Sequence, residues 1–242
     1  MRVAVLGAGG RMGTQVCAAV EAADGLELHA AIDAGDSLQA ALGADVAVDF
    51  THPDAVMNNL QFLLGAGIHA VVGTTGFNDE RLAQVKEWTS RSGSPNALIA
   101  SNFSVAAVLM MRFAAMAAPY FESVEVVELH HPRKADAPSG TAQTTAKAVA
   151  AARVNANSDP MPDATTTALE GARGATVAGV HVHSVRLQGL FAHQEVLFGN
   201  PGEMLTIRDD SFDRSSYMPG VLRAVRAVPN LPGLTIGIEG LL

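Results

Sequence analysis

Cysteine is almost absent from this sequence: Cys17 is the only one in 242 residues. A single thiol excludes an intrachain disulfide, which favours a protein of the reducing cytoplasm over a disulfide-rich secreted domain. Cys17 lies within an apolar helical pattern, so we expect a small core residue at this position and not a nucleophile.

Long apolar runs and an excess of positive charge are missing as well. The longest apolar stretch, residues 105–118, is interrupted by Arg112 and is shorter than the ~20 residues that cross a membrane. It therefore predicts a buried helix. The formal net charge of −8 argues against a general polyanion-binding surface. We expect neither a membrane nor a nucleic acid as a partner.

The sequence has no evident metal-binding signature. His181 and His183 form a His-x-His pair, but no carboxylate or cysteine cluster accompanies them. These two histidines and His193 fall on predicted strands or at strand ends, and we expect them to be structural or to support a site indirectly. No metal cofactor is predicted.

A glycine-rich turn follows the first predicted strand, Arg2–Leu6, whose apolar residues suit burial on both faces. The glycines are at positions 7, 9, 10 and 13, and a helical pattern over 14–23 comes next. A second strand, Glu27–Ile32, ends at Asp33, 20 residues after the last of these glycines. This is close to the spacing at which an acid binds the adenosine ribose in a Rossmann unit.

The strict G-x-G-x-x-G pattern is not met, because its third glycine would fall at Met12. Glycines nevertheless let the backbone approach a pyrophosphate, whose charge then faces a helix N-terminus. The position of the turn between a strand and a helix, with Asp33 at the right distance, favours a dinucleotide site over a plain turn.

Strand and helix patterns continue to alternate up to residue 100. The predicted strands are 46–50, His69–Val72 and 97–100, and the predicted helices are 53–64 and 79–91. This alternation predicts a Rossmann-like parallel sheet with right-handed crossovers. Ligands bind beyond the carboxyl ends of such strands, where loops 51–53, 73–76 and 101–104 follow. The hydroxyls and glycines of loop 73–76 suit a nicotinamide and its ribose.

The second half has strand-like runs at 123–130, 180–188, 195–199 and 203–208. They predict a separate α+β domain with a mixed or antiparallel sheet. A last helix, 215–227, and the run 234–238 are expected to return to the first domain. We expect a dinucleotide-binding domain of residues 1–103 and 214–242, and a substrate-binding and oligomerisation domain of residues 104–213. The open face of a four-stranded sheet favours self-association.

The segment from Glu128 to Thr141 concentrates positive charge in an acidic chain. It places His130, His131, Arg133 and Lys134 within five residues and ends in Ser139-Gly-Thr141, directly before a predicted helix. The free N–H groups of a helix N-terminus bind carboxylates or phosphates. A pocket for a small anion is one interpretation of this pattern, and a solvated basic turn before a capped helix is the other.

Three motifs together make the chain resemble the 4-hydroxy-tetrahydrodipicolinate reductase (dihydrodipicolinate reductase) family. They are the glycine turn 7–13, Gly73-Thr-Thr-Gly76 and His130-His-x-x-Lys-x-Asp-Ala-Pro-Ser-Gly-Thr141, the last being the most specific. Phe50-Thr-His-Pro53, Ala172-Arg-Gly174 and residues 182–187 match the family as well. The resemblance covers nearly the whole chain, and Leu-His-His-Pro at 129–132 is similar to the actinobacterial branch.

The resemblance implies a homotetramer, joined through the sheets of the second domain, that reduces a small cyclic imine carrying two carboxylates. The reaction is the NADH- or NADPH-dependent conversion of 4-hydroxy-tetrahydrodipicolinate to tetrahydrodipicolinate in diaminopimelate and lysine synthesis. His130 is implied to be the general acid and Lys134 the cation that binds or protonates the substrate. The other residues implied to bind the substrate are His131, Ser139, Gly140 and Thr141.

The resemblance also assigns the cofactor contacts. Gly7, Gly10, Arg11 and Met12 are implied to hold the pyrophosphate, Asp33 the adenosine ribose, and Gly73, Thr75, Ser101 and Phe103 to surround the nicotinamide. An acid at the ribose repels a 2′-phosphate, and no arginine follows Asp33, although Arg11 could pair with that phosphate. We expect both nucleotides to serve, with some preference for NADH.

Two other functions account for part of the sequence. Another NAD(P)-dependent dehydrogenase of a small carboxylic acid, such as an aspartate dehydrogenase, explains the glycine turn but not the motif at 130–141. A non-catalytic NAD(P) sensor also explains the turn, but it needs no proton donor beside an anion site.

Overall fold

The computed structural model describes residues 1–242 and divides into two compact units. The first comprises Met1–Val105 together with Arg214–Leu242, and the second comprises Ala106–Asp213. None of the helices combines the length and the apolar character that crossing a membrane requires.

The first unit contains a six-stranded, fully parallel sheet. Its strands are β1 (Arg2–Leu6), β2 (Glu27–Ile32), β3 (Val46–Asp49), β4 (His69–Val72), β5 (Ala97–Ile99) and β11 (Leu234–Ile236). Their order across the sheet is β11-β5-β4-β3-β1-β2. All residues of β3 and all but the first of β1 are buried, as expected for strands covered on both faces.

Helices α1 (Gly13–Ala22), α2 (Val56–Gly65), α3 (Asp79–Thr89) and α6 (Met218–Ala227) belong to this unit. The Asn78 side chain caps α3 by accepting a hydrogen bond from Arg81 N. Two acidic residues in the first turn stabilise the helix through its dipole. One apolar cluster packs β1 and β3 against α2, and another packs α2, α3, β4 and β5 together. The sheet is therefore held rigidly between helices, and its carboxyl-end loops are anchored to it.

The second unit contains a five-stranded mixed sheet and two main helices. The strands are β6 (Ser123–His130), β7 (Ala175–Val177), β8 (Val180–Arg186), β9 (Ala192–Asn200) and β10 (Glu203–Ser211), and the helices are α4 (Val105–Ala117) and α5 (Gly140–Asn155). The strand order is β10-β9-β6-β8-β7. Only β6 and β8 are parallel, and the other neighbours are antiparallel.

Alternate residues of β6 determine which face of this sheet is buried. Val124 and Val126 pack with side chains from β8, β9, α4 and α5 in one core cluster. Glu125, Val127 and Leu129 lie on the opposite face and are only partly buried. Helices thus cover one face of the sheet, and the other face, here called the open face, remains without a helical layer.

The predicted fold class, a Rossmann-like parallel sheet plus an α+β domain with a mixed sheet, is confirmed. The prediction of four strands in the second sheet was wrong, because β7 has only three residues and gives no periodic signal. The helix expected over 215–227 is a 3₁₀ turn at Arg214–Tyr217 followed by α6, with a proline in the first turn of α6.

The apolar stretch 105–118 is helical, but it is not buried all round. Val108 and Met110 are buried, whereas Phe113 and Met116 are 48% and 64% exposed. The expectation of a buried helix was therefore only half right, because continuous hydrophobicity does not reveal which side of a helix the core covers.

Candidate active site

The glycine turn at 7–13 is packed too closely for side chains. Gly7 adopts a φ of +78°, and a Cβ added there would lie 2.7 Å from Phe50 O. A Cβ at Gly13 would lie 2.0 Å from Gly7 O. Gly10 N donates to Gly7 O at 3.0 Å, and Gly10 O then accepts from Thr14 N, so helical bonding begins within the turn. This tight approach of backbone at a helix N-terminus fits the pyrophosphate of a dinucleotide.

Asp33 is fixed at the carboxyl end of β2, beside the glycine turn. Its Oδ2 accepts from Gly9 N at 2.9 Å, and its Oδ1 accepts from Ala34 N at 2.8 Å. The residue is exposed and borders a cavity of about 450 Å³ that also touches Gly7 and Gly10. A fixed, accessible carboxylate in this position is able to accept hydrogen bonds from ribose hydroxyls.

Arg11 and Met12 occupy the end of the same turn, where α1 begins. Arg11 is exposed and Met12 is half-buried. Met12 O accepts from Val16 N at 3.0 Å, so the backbone around Met12 is already helical. An anion beside this turn would face the positive end of the α1 dipole.

A buried acid that the sequence reading missed organises the next two loops. Asp49, at the end of β3, is fully buried. Its carboxylate accepts from Thr51 N at 2.9 Å, Thr51 Oγ1 at 2.7 Å, Asn59 Nδ2 at 2.8 Å and Thr74 Oγ1 at 2.8 Å. Its only signal in the sequence is an acid at the end of an apolar run. By binding both threonines, Asp49 fixes the loops that follow β3 and β4.

The residues expected around the nicotinamide differ in exposure. A Cβ at Gly73 would lie 2.0 Å from the Phe50 ring, so this position accepts only glycine. Thr75 and Ser101 are exposed on their loops. Phe103 is 3% exposed and packs against Phe50, with ring centroids 5.8 Å apart. The Phe103 side chain therefore supports its loop from within.

In the second unit, a buried carboxylate connects His130 to an arginine. The side chain of Glu128 has 0% exposure, and that of His130 has 13%. His130 Nδ1 makes a very short contact with Glu128 Oε2. Arg186 donates two bonds to the same carboxylate, from Nη1 to Oε2 at 2.9 Å and from Nη2 to Oε1 at 2.8 Å. Sequence analysis singled out His130 but assigned no role to Glu128 or Arg186.

The ionisation of Glu128 follows from these contacts. Burial alone raises the pKa of a carboxyl group, but hydrogen bonds from His130, Arg186 and Ser184 outweigh it and lower the pKa of Glu128 from 4.5 to about 2. Glu128 is therefore an anion at neutral pH, in a place from which water is excluded.

The N-terminus of α5 carries the groups predicted to bind an anion. Lys134 Nζ lies 2.7 Å from Asp136 Oδ1, and Gly140 N donates to Asp136 Oδ2 at 3.3 Å. The hydrogen bond from Lys134 is the main cause of the lowered pKa of Asp136. Gly140 is exposed and Thr141 is half-buried. A lysine and a helix N-terminus thus hold one carboxylate of the protein itself.

Ser139 is mainly a helix cap. It is 2% exposed, its Oγ accepts from Ala142 N at 3.2 Å, and its own N–H donates to Glu128 Oε1 at 3.2 Å. Ser139, which is predicted to bind the substrate, has its hydroxyl and its N–H engaged in these two bonds.

The remaining basic residues of the segment occupy different environments. The ring of His131 lies 6.5 Å from that of Phe191 and is partly buried, and Arg133 is exposed. The histidines expected to be structural each lie near a carboxylate: His181 near Asp163, His183 near Glu125 and His193 near Asp210. No group of three or more His, Cys, Asp or Glu side chains is arranged to hold a metal ion.

Comparison with known proteins covers the whole chain. The family model described as "Dihydrodipicolinate reductase, N-terminus" matches residues 1–103, and "Dihydrodipicolinate reductase, C-terminus" matches residues 106–242. A 4-hydroxy-tetrahydrodipicolinate reductase of Mycolicibacterium vanbaalenii is 63% identical, over 100% of this chain and 99% of the relative. A 4-hydroxy-tetrahydrodipicolinate reductase of Beutenbergia cavernae is 61% identical, over 100% of this chain and 98% of the relative.

A solved structure is similar over the same extent. Dipicolinate-bound dihydrodipicolinate reductase from Paenisporosarcina sp. TG-14 has a TM-score of 0.90 and 37% identity, covering 100% of this chain and 99% of that one. Fold and sequence therefore agree on a single family, and the expected similarity to actinobacterial members is confirmed.

Proposed function

This chain belongs to the dihydrodipicolinate reductase family, and we propose that it reduces 4-hydroxy-tetrahydrodipicolinate to tetrahydrodipicolinate with NADH or NADPH, in diaminopimelate and lysine biosynthesis. The observation that carries the proposal is the arrangement in the second unit. There, a histidine bonded to a buried carboxylate lies on the strand that leads into an anion-binding helix N-terminus.

The first unit would hold the nucleotide. Gly7, Gly10, Arg11 and Met12 provide a close backbone and a helix N-terminus for the pyrophosphate, and Asp33 provides a fixed acceptor for the ribose. Gly73, Thr75, Ser101 and the backbone of Phe103 would border the nicotinamide. The bound nucleotide supplies a hydride. The carboxylate of Asp33 supports the expected preference for NADH.

The second unit would hold the dianionic substrate. Lys134 provides a full positive charge, and the N–H of Gly140 and the neighbouring Thr141 provide hydrogen-bond donors at the start of α5. The relative of known structure has the dicarboxylate dipicolinate bound, which supports a small dicarboxylate as the ligand class. We also propose that His131, next in sequence to His130, binds the substrate.

His130 would supply the proton. Hydride addition to a conjugated C=N system leaves negative charge on the substrate, and a nearby acid must neutralise it. The Nδ1 atom of His130 is bonded to Glu128, so Nε2 is the ring nitrogen left for the substrate. Lys134 and the N-terminus of α5 would stabilise the same developing charge.

The experiment that tests this proposal follows NADH oxidation at 340 nm with freshly generated 4-hydroxy-tetrahydrodipicolinate, with NADPH in parallel. We expect substrate-dependent oxidation with both nucleotides, faster with NADH at limiting concentration. A protein that binds NADH but oxidises neither nucleotide would contradict the reductase assignment and favour a nucleotide sensor.

The active form is proposed to be a cytoplasmic homotetramer. The open face of the second sheet carries Val127 and Leu129, and Met204 on β10 is 73% exposed on that face. Exposed apolar side chains on a sheet surface favour pairing with a second copy. The reducing compartment follows from the single cysteine. Light scattering should give four times the 25.1 kDa mass of one chain.

A further inference from the structure

We propose that Glu128, held by Arg186, is the positioning residue of the active site: it orients the ring of His130 and fixes the same ring to the start of α5. This inference rests on the proposed function, because it assigns Glu128 a role in the proton transfer made by His130. Glu128 lies outside the motif at 130–141 and outside the residues assigned to bind the substrate.

The strand geometry places the two side chains together. Glu128 and His130 are alternate residues of β6, so they project from the same face of the sheet. This is the face covered by helices, because Val124 and Val126 have the same parity and belong to the core. The central position of β6, between β8 and β9, gives both residues a rigid backbone.

The carboxylate of Glu128 has no freedom to turn. One oxygen accepts from His130 and from Arg186 Nη1, and the other accepts from Arg186 Nη2 and from Ser139 N. These bonds come from β6, β8 and the residue that caps α5. The bidentate hydrogen bonds from Arg186 fix the plane of the carboxylate. The orientation of this plane in turn fixes the orientation of the imidazole ring.

The consequence for His130 is a defined tautomer. A carboxylate oxygen only accepts hydrogen bonds, so the proton between the two residues must be carried by Nδ1. When His130 gives up its other proton from Nε2, it is left as the neutral Nδ1–H form without moving. This is the same division of roles as in an Asp–His pair that orients a catalytic imidazole.

Three other charged side chains lie around His130 and Glu128: Arg186, Lys134 and Asp136. Arg186 approaches from β8 and also donates to Asp136 O at 2.6 Å. Lys134 and Asp136 form an ion pair on the loop before α5. On β9, the residue opposite Glu128 is the neutral Gln194. Glu128 is therefore the anion in direct contact with His130, and removing its charge changes one electrostatic partner of the ring.

The decisive variant is Glu128→Gln, which keeps the shape of the side chain and removes its charge. We expect kcat to fall by about 10²–10⁴-fold, the upper value being the cost of the same change in an Asp–His pair, with the KM for NADH unchanged. We also expect the pH above which kcat declines to move to a lower value, because an amide stabilises a protonated imidazole less well. Glu128→Asp should keep the wild-type pH profile.

Glu125→Gln is a matched control. Glu125 lies on the same strand and also contacts a histidine, His183, and an arginine, Arg173, but it faces the opposite side of the sheet. Its substitution should leave the shape of the pH profile unchanged. A Glu128→Gln protein that is folded and keeps the wild-type kcat and pH profile overturns the proposal.

A measurement on the wild-type protein tests the proposal even if the Glu128→Gln variant does not fold. Long-range ¹⁵N–¹H NMR of the histidine rings, with His130 assigned through His130→Gln, should show His130 with a hydrogen-bonded Nδ1–H. The Nε2–H tautomer would overturn the proposal whatever the variants do. Because this readout requires no turnover, an inactive wild-type protein counts against the reductase assignment alone.

Discussion

Proton transfer is proposed to depend on His130, and replacing this residue separates chemistry from binding. His130→Gln should lower kcat by about 10²–10⁴-fold, the range for losing a general acid, because glutamine cannot give up a proton to the substrate. The affinity for NADH, measured by fluorescence titration, should be unchanged. Turnover close to that of the wild type would remove His130 from this role.

Asp33 is proposed to set the nucleotide preference through a single carboxylate. Asp33→Ala removes the acceptor proposed for the ribose hydroxyls and should raise the KM for NADH by about tenfold, the effect of one charge-assisted hydrogen bond. The KM for NADPH should rise less, because the Asp33 carboxylate no longer repels its 2′-phosphate. Asp54→Ala is a control, since Asp54 is an exposed acid that contacts only His52 nearby. Equal losses for both nucleotides would contradict a ribose contact.

Glu128 also links stability to pH. Its pKa of about 2 in the folded chain lies below the ordinary 4.5, so its contribution is fully present above pH 4.5 and is lost as the pH falls towards 2. The shift corresponds to about 3 kcal/mol. Urea unfolding should show the wild type more stable than Glu128→Gln at pH 7, with the difference about 2 kcal/mol smaller at pH 3. A difference that does not depend on pH would contradict this coupling.

At the scale of elements, Arg153 joins the end of α5 to two neighbouring segments. It is 7% exposed and donates only to backbone carbonyls: those of Ala118, Phe121, Glu122 and Asp159. These carbonyls belong to the segment that leads from α4 to β6 and to the loop after α5. One guanidinium thus satisfies the buried carbonyl of Ala118 and three partly buried acceptors.

Arg153→Met should lower the free energy of unfolding by about 2 kcal/mol, since one buried and three partly buried carbonyls would lose their donor at once. Lys147→Met on the same helix is the control, because Lys147 is exposed and the substitution should change stability by less than about 0.5 kcal/mol. Thermal and urea unfolding of both variants provide the comparison. Equal effects would show that Arg153 is not the link between these segments.

The sequence predicted those features whose signals come from residues close together along the chain. The glycine turn, Asp33 and the motif at 130–141 each depend on neighbours within a few tens of residues. Glu125 and Glu128 show the limit: they are two acids on one strand, and only pairing of β6 with β8, 58 residues further along, makes one of them part of the active site. Strand register is a non-local property, so Arg186 could not be matched to Glu128 from the sequence. Asp49 escaped notice for a different reason: an acid at the end of an apolar run does not reveal that its side chain is buried.

At the scale of the whole molecule, the open face of the second sheet should carry the contact between subunits. Met204→Glu places a charge on that face and should yield a species smaller than the tetramer in light scattering, because a buried unpaired carboxylate is costly. Leu169→Glu is the control, since Leu169 is 85% exposed in the segment before β7. Unchanged mass for both variants would show that subunits meet elsewhere.

Asp136 would compete with the substrate at the proposed binding site. Its carboxylate already takes the hydrogen bonds of Lys134 and Gly140 that are assigned to a carboxylate of the substrate. Binding of the dianion at this position would be an exchange of one anion for another, and its affinity would be a difference between two similar interactions. An internal ligand tethered two residues from Lys134 has a high effective concentration and returns as soon as the product loosens. The site would thereby trade tight binding for rapid turnover.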